Sequence, residues 1–242
     1  MNDKSTPLSN KVIFITGAAK GLGRSLALKC ADAGANLILC DKDLRDLEIV
    51  CDEIIEKYHR EALLLPVNFE GAVIDDYLSI ASRIEEKHST INSLILNAAS
   101  LGELAPIAHY DPLVWARVFQ VNIHSAFLLL KHLDSIFEKK KSSNIIFTLA
   151  PEVQIAKPFW GAYAVSKKAL LGLMELTAKE MEIHSDVKVN GVVPSPMRTD
   201  LYRQAYPAGD YSQVDKPEKN TSIYIDLMSN GSDYPSGAVI KN

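Results

Sequence analysis

Apolar residues in this chain come in short unbroken runs, each followed by a longer stretch in which they recur every three or four positions. Val12-Ile13-Phe14-Ile15, Leu37-Ile38-Leu39, Leu63-Leu64-Leu65, Leu94-Ile95-Leu96, Ile145-Ile146-Phe147 and Val187 to Val193 are strand-length. Most are apolar at successive positions rather than alternating, as expected of strands covered on both faces. Helical patterns fill the gaps, over Gly23 to Ala33, Leu44 to Tyr58, Asp75 to Lys87, Pro112 to Phe137 and Tyr163 to Ile183. Asp111-Pro112 reads as a capped helix start with proline at the first helical position. The alternation predicts a single α/β domain over residues 1–242, its parallel strands joined by right-handed crossovers. Such a doubly wound sheet binds ligands outside the carboxyl ends of its strands, where strand order reverses. Functional residues are therefore expected just after the apolar runs.

Composition narrows the function. Of 242 residues 47% are hydrophobic and 23% charged, and the net charge is -4. That is an ordinary folded domain rather than a disordered polymer. A nucleic-acid binder or an anionic-membrane binder needs a basic stripe, and none is present, so neither partner is expected. Lys139-Lys140-Lys141 is the one basic cluster and reads as a solvated helix end, where the dipole favours cations. Met1 to Asn10 is polar and lacks the apolar core of a signal peptide. No apolar run approaches the roughly 20 residues needed to span a bilayer. Cys30, Cys40 and Cys51 include no Cys-x-x-Cys, and the histidines show no metal-ligand spacing. A cytoplasmic protein with reduced thiols and no metal is expected.

The first apolar run leads into Thr16-Gly17-Ala18-Ala19-Lys20-Gly21-Leu22-Gly23 and then a helix. Glycines let backbone amides approach a pyrophosphate without a Cβ in the way, and the following helix start offers unpaired N–H groups to phosphate oxygens. Glycines also serve tight structural turns, so the second strand matters. It ends at Asp41, where an acid can accept from a ribose 2′-hydroxyl. Together these point to a dinucleotide. Asp41 would repel a 2′-phosphate and favours NAD(H). Lys20 and Lys42 pull the other way, so NADP(H) stays open.

The fourth strand ends in Asn97-Ala98-Ala99, a long helix carries Asn122, and Tyr163-Ala164-Val165-Ser166-Lys167 follows the fifth strand. Tyrosine and lysine four apart share a helix face. An ammonium beside a phenol favours the phenolate, which suits acid–base work on a hydroxyl or carbonyl.

With these residues, and with Pro194 to Thr199, the chain from about Lys11 to Ile240 resembles the classical short-chain dehydrogenase/reductase family. The resemblance implies a Rossmann domain with a seven-stranded parallel sheet and hydride transfer between a nicotinamide cofactor and an alcohol or carbonyl substrate. It implies that Tyr163 is the general acid/base and that Lys167 holds the nicotinamide ribose and tunes Tyr163. By the same resemblance Asn122 supports a water in the proton relay and Asn97 braces the cofactor-side loop. Thr199 touches the carboxamide, and Val193 and Pro194 line the nicotinamide pocket. The remaining cofactor contacts fall on Thr16, Gly17, Lys20, Gly21, Leu22, Gly23, Asp41, Asn68 and Ala98.

Several positions depart from the family pattern. Thirteen residues before Tyr163, where the family has a serine that orients the substrate oxygen, stands Ala150. Thr148 points to the same side of an extended strand but lies roughly 6.7 Å away. Losing such a donor costs about a hundred- to thousand-fold in rate. The chain is then a slow enzyme, one with a substituted donor, or a cofactor-binding relative without turnover. Isomerisation or dehydration through Tyr163 is a further alternative. Ala99 replaces a glycine, Ser195 follows Pro194 where glycine is usual, and Asn68 replaces an aspartate that accepts from adenine, which its carbonyl oxygen can still do. Glu152 falls on the Ala150 side, either as a substrate contact or as a solvated loop carboxylate.

Substrate choice is expected from a loop at roughly 200–219, with Tyr202, Tyr206 and Tyr211, and from Phe159 and Trp160 opposite. These aromatics form a lid or simply pack a surface loop. Helices 112–137 and 163–183 carry more leucine than one core-facing stripe needs, as in Leu128-Leu129-Leu130 and Leu170-Leu171. The resemblance implies that they pair across a two-fold axis, giving a homodimer or homotetramer.

Overall fold

In the computed structural model, which describes residues 6–137, 143–153, 155–229 and 233–242, helices and parallel strands alternate from the first strand onward. The strands are β1 (Val12–Thr16), β2 (Asn36–Asp41), β3 (Ala62–Pro66), β4 (Ser93–Leu96), β5 (Asn144–Thr148), β6 (Lys188–Val193) and β7 (Val239–Lys241). They form one sheet in the order β3-β2-β1-β4-β5-β6-β7, every pair parallel. The chain runs outward from β1 to β3 and then returns to place β4 on the other side of β1. That reversal opens a crevice between the ends of β1 and β4.

The unbroken apolar runs are explained by two cores, one on each face. Phe14 of β1 and Ile38 of β2 pack with Tyr77, Leu129 and Leu170. Ile13, Ile15, Leu37 and Leu39 point the other way and pack with Leu26, Leu47 and Tyr224. The first core is closed by α3 (Ile74–Lys87), α5 (Ser125–Leu133) and α6 (Gly161–His184), while α4 (Pro112–Phe119) packs on α6 through a small separate cluster of Val118, Tyr110 and Ala162. The second is closed by α1 (Gly21–Asp32), α2 (Leu44–Tyr58) and α8 (Ser222–Met228). A short α7 (Asp200–Ala205) stands over the carboxyl edge of the sheet.

Element ends follow local chemistry. The Asp43 carboxylate accepts from Asp46 N at 3.2 Å and starts α2. Asp111 Oδ1 accepts from Leu113 N at 2.7 Å and Val114 N at 3.1 Å, with Pro112 at the first helical position of α4. The predicted helix 112–137 is interrupted and shorter. A single π turn, Gln120–His124, separates α4 from α5, and the helix stops at Leu133 because Phe137 bridges to Ile91 beside the sheet. The predicted starts at Gly23, Asp75 and Tyr163 lie at Gly21, Ile74 and Gly161.

Taken as one element, Pro112–Leu133 is long and apolar enough to cross a membrane by length and composition, contrary to the expectation from apolar runs alone. It passes because exposed and core-facing apolar residues share one helix. The leucines that looked surplus are absorbed. Leu129 and Leu170 are buried, and Leu128, Leu130 and Leu171 pack against the core. The apolar side chains left exposed on these helices include Phe127, Val165 and Leu176. Lys139, Lys140 and Lys141 lie outside the described residues.

Candidate active site

Beyond the end of β1 the chain turns at Gly17, whose φ of 66° is in the left-handed region, and enters α1. Thr16 ties this turn to β4, its Oγ1 accepting from Asn97 N at 2.9 Å and Ala98 N at 3.0 Å. Asn97 completes the tie, its Nδ2 donating to Thr16 O at 3.0 Å and Gly17 O at 3.2 Å. The two strands that flank the crevice are thus fastened at its floor. Gly23 does not face the crevice. A Cβ there would lie 1.8 Å from Gly17 O, so its role is to let α1 pack onto the turn. Lys20 precedes α1 without a capping side chain, which leaves the first-turn amides of this helix free of that partner.

Asp41 lines one end of the cleft. Its Oδ2 accepts from Ala19 N at 3.0 Å and its Oδ1 from Lys42 N at 2.7 Å, so it fixes the turn while keeping lone pairs for a further donor. Lys20 is drawn to Asp46 at 2.5 Å and Asp43 at 3.6 Å, and the bond to Asp46 raises its pKa despite some burial. Lys42 reaches Glu70 at 3.8 Å. Asn68 Oδ1 accepts from Glu70 N at 3.1 Å, an Asx-type turn that holds the amide at the cleft wall.

On the other side α6 presents Tyr163 and Lys167. Both are buried, and Lys167 Nζ lies 5.8 Å from the Tyr163 ring centroid and donates to Thr148 O at 2.8 Å. The π turn rotates Asn122 inward, where Oδ1 accepts from Ser100 N at 2.8 Å and Nδ2 donates to Ser100 O at 3.0 Å and Ser166 Oγ at 2.9 Å. Ser166 Oγ in turn donates to Tyr163 O at 2.8 Å, linking the π turn to the first turn of α6. The phenol does not behave as the sequence suggests. Burial first, then the Glu152 and Tyr206 charges, push Tyr163 above its ordinary value, while burial lowers Lys167 to about 8. In both groups desolvation is the largest cause.

The opposite end of the cleft is lined by Ala150, which packs with Leu101, Trp160, Tyr163 and Ala205. Thr148, the nearest alternative hydroxyl, is engaged with the Tyr224 hydroxyl at 3.0 Å. Glu152 is no solvated carboxylate. A 3-10 turn, Pro151–Val153, folds it inward until it is 3% exposed. Lys157 follows it in, donating to Glu152 Oε1 at 3.2 Å and Tyr206 Oη at 3.3 Å, with its ammonium 5.1 Å from the Trp160 ring centroid. Burial opposes its charge, but the bonds from Tyr206 and Glu152 raise its pKa. Segment 200–219 is largely helical rather than an open loop. Thr199 caps α7 by accepting from Tyr202 N at 3.1 Å, and short 3-10 turns follow at Tyr211–Gln213 and Pro217–Asn220.

All of this surrounds one cleft of about 730 Å³. Gly17, Lys20, Gly21, Leu22, Asp41 and Asn68 line one end. Asn97, Ala98, Tyr163, Lys167, Pro194 and Thr199 line the middle. Ala150, Glu152, Trp160 and Tyr202 line the far end. Thr16, Gly23 and Asn122 stand behind the wall. Sequence reasoning missed Ser166 and Lys157. The first sits inside the tyrosine–lysine motif and could have been noticed there. The second is a lone lysine in a loop and carries no sequence signal. Among the described residues no group of three or more His, Cys, Asp or Glu is placed to hold a metal ion.

The chain belongs to the short chain dehydrogenase family of oxidoreductases, whose family model matches residues 11–208. It is 29% identical over 234 residues to Uncharacterized oxidoreductase YciK of Escherichia coli (strain K12), which covers 97% of this chain and 92% of that protein. A short chain dehydrogenase structure from Pseudomonas syringae superposes with a TM-score of 0.94 at 30% identity, covering 98% of this chain and 96% of the other. Another, from Shigella flexneri 2a and complexed with NADP, gives 0.94 at 28% identity, covering 98% and 99%.

Proposed function

We propose that this protein is a nicotinamide-dinucleotide-dependent oxidoreductase acting on a small alcohol or carbonyl compound. The observation that carries this is the meeting of the Gly17–Gly21 turn and the Tyr163–Lys167 pair around one cleft at the carboxyl edge of the sheet. The cleft suits a dinucleotide. A Cβ on Gly17 would fill the turn, lying 2.9 Å from Ala98 Cα, and α1 opens behind the turn without a capping side chain. Gly17, Gly21 and Leu22 would hold the pyrophosphate, Asp41 the adenosine ribose, and Asn68 the adenine. Asn97, Ala98, Pro194 and Thr199 would flank the nicotinamide, which supplies or accepts the hydride when bound. Tyr163 Oη gives a proton to the substrate oxygen or takes one from it. Lys167 would hold the nicotinamide ribose and offset charge on the phenolate, and Asn122 holds the backbone at Ser100 beside it.

Asp41 supports NAD(H), and the pairing of Lys20 with Asp46 and of Lys42 with Glu70 draws both cations away from a 2′-phosphate. NADP(H) is favoured instead by the relative crystallised with NADP. The ratio of NADH to NADPH affinity, read from nucleotide fluorescence, decides between them.

Ala150 stands beside Tyr163 where the family's second hydroxyl acts, which leaves Tyr163 as the chief donor. Restoring that hydroxyl in Ala150→Ser raises turnover on a carbonyl panel by about a hundred-fold or more, the reverse of the usual donor loss. Tyr163→Phe abolishes turnover and leaves dinucleotide binding within a few-fold. Dinucleotide binding with no turnover in either wild type or Ala150→Ser would favour a cofactor-binding protein without catalysis.

Phe127, Val165 and Leu176 support pairing of α5 and α6 with a second copy as a homodimer or homotetramer. The free thiols Cys30, Cys40 and Cys51 support a reducing, cytoplasmic setting.

A further inference from the structure

At the substrate end a carboxylate and two aromatic rings enclose a cation that the chain itself supplies. Glu152 contributes the charge, 3% exposed and fixed by its 3-10 turn. Trp160 and Tyr206 supply ring faces, their centroids 5.7 Å apart, and the Lys157 ammonium lies 5.1 Å from the first and 6.0 Å from the second. Tyr202 extends the wall, 4.7 Å from Tyr206. Aromatic faces with a buried carboxylate are the recognition chemistry of an ammonium ion. The cage adjoins the reacting group, since the Trp160 and Tyr163 rings are 5.8 Å apart.

The two charged members differ in how firmly they are held. Glu152 is buried within a short 3-10 turn. The Lys157 side chain is 42% exposed, on a four-carbon stem, in a solvent-facing segment where Phe159 takes a φ of 72°. Lysine is the exchangeable partner. When it swings outward, a desolvated negative charge and two ring faces remain open toward Tyr163. Once Lys157 has left, an anionic or neutral group in its place would leave the buried carboxylate without a counter-charge, which is costly, whereas an ammonium replaces like with like.

We infer that the substrate is cationic: a ketone or secondary alcohol bearing an ammonium group a few carbons from the reacting carbon, with its nitrogen taking the place of Lys157 in the Glu152–Trp160–Tyr206 cage. This rests on the oxidoreductase function proposed above. In the reducing direction the carbonyl carbon gains one hydride from the dihydronicotinamide and the oxygen gains the Tyr163 proton, so that C=O becomes CH–OH while the cofactor is oxidised. Oxidation runs the same balance backwards. The ammonium takes no part in bond making and serves only to place the carbon.

Binding is read without cofactor or turnover. The chain has two tryptophans, so in a Trp115→Phe background the emission reports Trp160. Benzylamine, protonated at neutral pH, is titrated against benzyl alcohol and benzoate. The expected result is saturable quenching by benzylamine at least tenfold tighter than by either comparator. Glu152→Gln weakens it about tenfold, and Lys157→Met tightens it by removing the resident cation. The opposite directions of the two variants separate a lost site from a misfolded one. Benzoate binding more tightly than benzylamine, or benzylamine binding unaltered in both variants, overturns the inference. NADH and NADPH titrations of the same proteins test the oxidoreductase function separately, since a protein that binds amine but no dinucleotide refutes that function and leaves the cage standing.

Discussion

Lys167 is a cation placed where a cation is hard to keep. Burial brings it to about 8, and its ammonium donates to the Thr148 carbonyl. The unfolded chain holds that proton up to a pKa near 10.4. Between about pH 8 and 10 the unfolded state therefore binds more protons, and this group's contribution to stability rises with pH across that window. Lys167→Met lacks the titration. The expected outcome is that the melting temperature of wild type minus that of Lys167→Met increases from about pH 7.5 to 10, measured by calorimetry. A flat difference would place the lysine in a wetter site than the structure shows. Residues of this kind divide sharply in how legible they are. Tyr163, Lys167 and Asp41 announce themselves because spacing and position after a strand carry their roles. Glu152 does not, because its burial is set by a 3-10 turn and by rings from two distant elements. Lys157 is visible only once that burial is known.

Single elements set the accuracy of the cleft more than their lengths suggest. The first turn of α1 must approach the Gly17 carbonyl closely, and Gly23 makes room for it. Gly23→Ala is expected to destabilise the protein by about 3 kcal/mol, the upper part of the range for overpacking. That corresponds to a fall of roughly 6–12 °C in melting temperature for a domain of this size, together with loss of dinucleotide binding. Strands and most helices were readable from apolar runs and capping residues such as Asp111 and Pro112. The π turn at Gln120–His124 was not, because the apolar periodicity runs through it unbroken. What shifts it is a tertiary tie, the Asn122 amide bonded to both backbone groups of Ser100.

At the scale of the molecule the surface left apolar on α5 and α6 is what the proposed pairing with a second copy rests on. Val165 and Leu176 are eleven residues apart, close to three turns, and so share one face of α6. In solution the 26.7 kDa chain is expected at twice that mass or four times it by light scattering. Leu176→Asp is expected to return it to a single chain, and a wild type that already runs at 26.7 kDa would sink the pairing. The doubly wound fold itself was legible from alternation alone, whereas the packing of surplus leucines into the core depended on where the helices lie.

The order of strands also bears on how the protein comes to be folded. The central seam joins Ile13 to Ser93 and Ile15 to Ile95, so the apolar Ile13-Phe14-Ile15 stretch of β1 stands as an open edge until β4 arrives. Pairings of such sequence separation form slowly, and an uncovered strand edge is a template for a neighbouring chain. The expected consequence is a refolding yield that drops as the concentration of unfolded chains rises, measured by native protein recovered after dilution from denaturant.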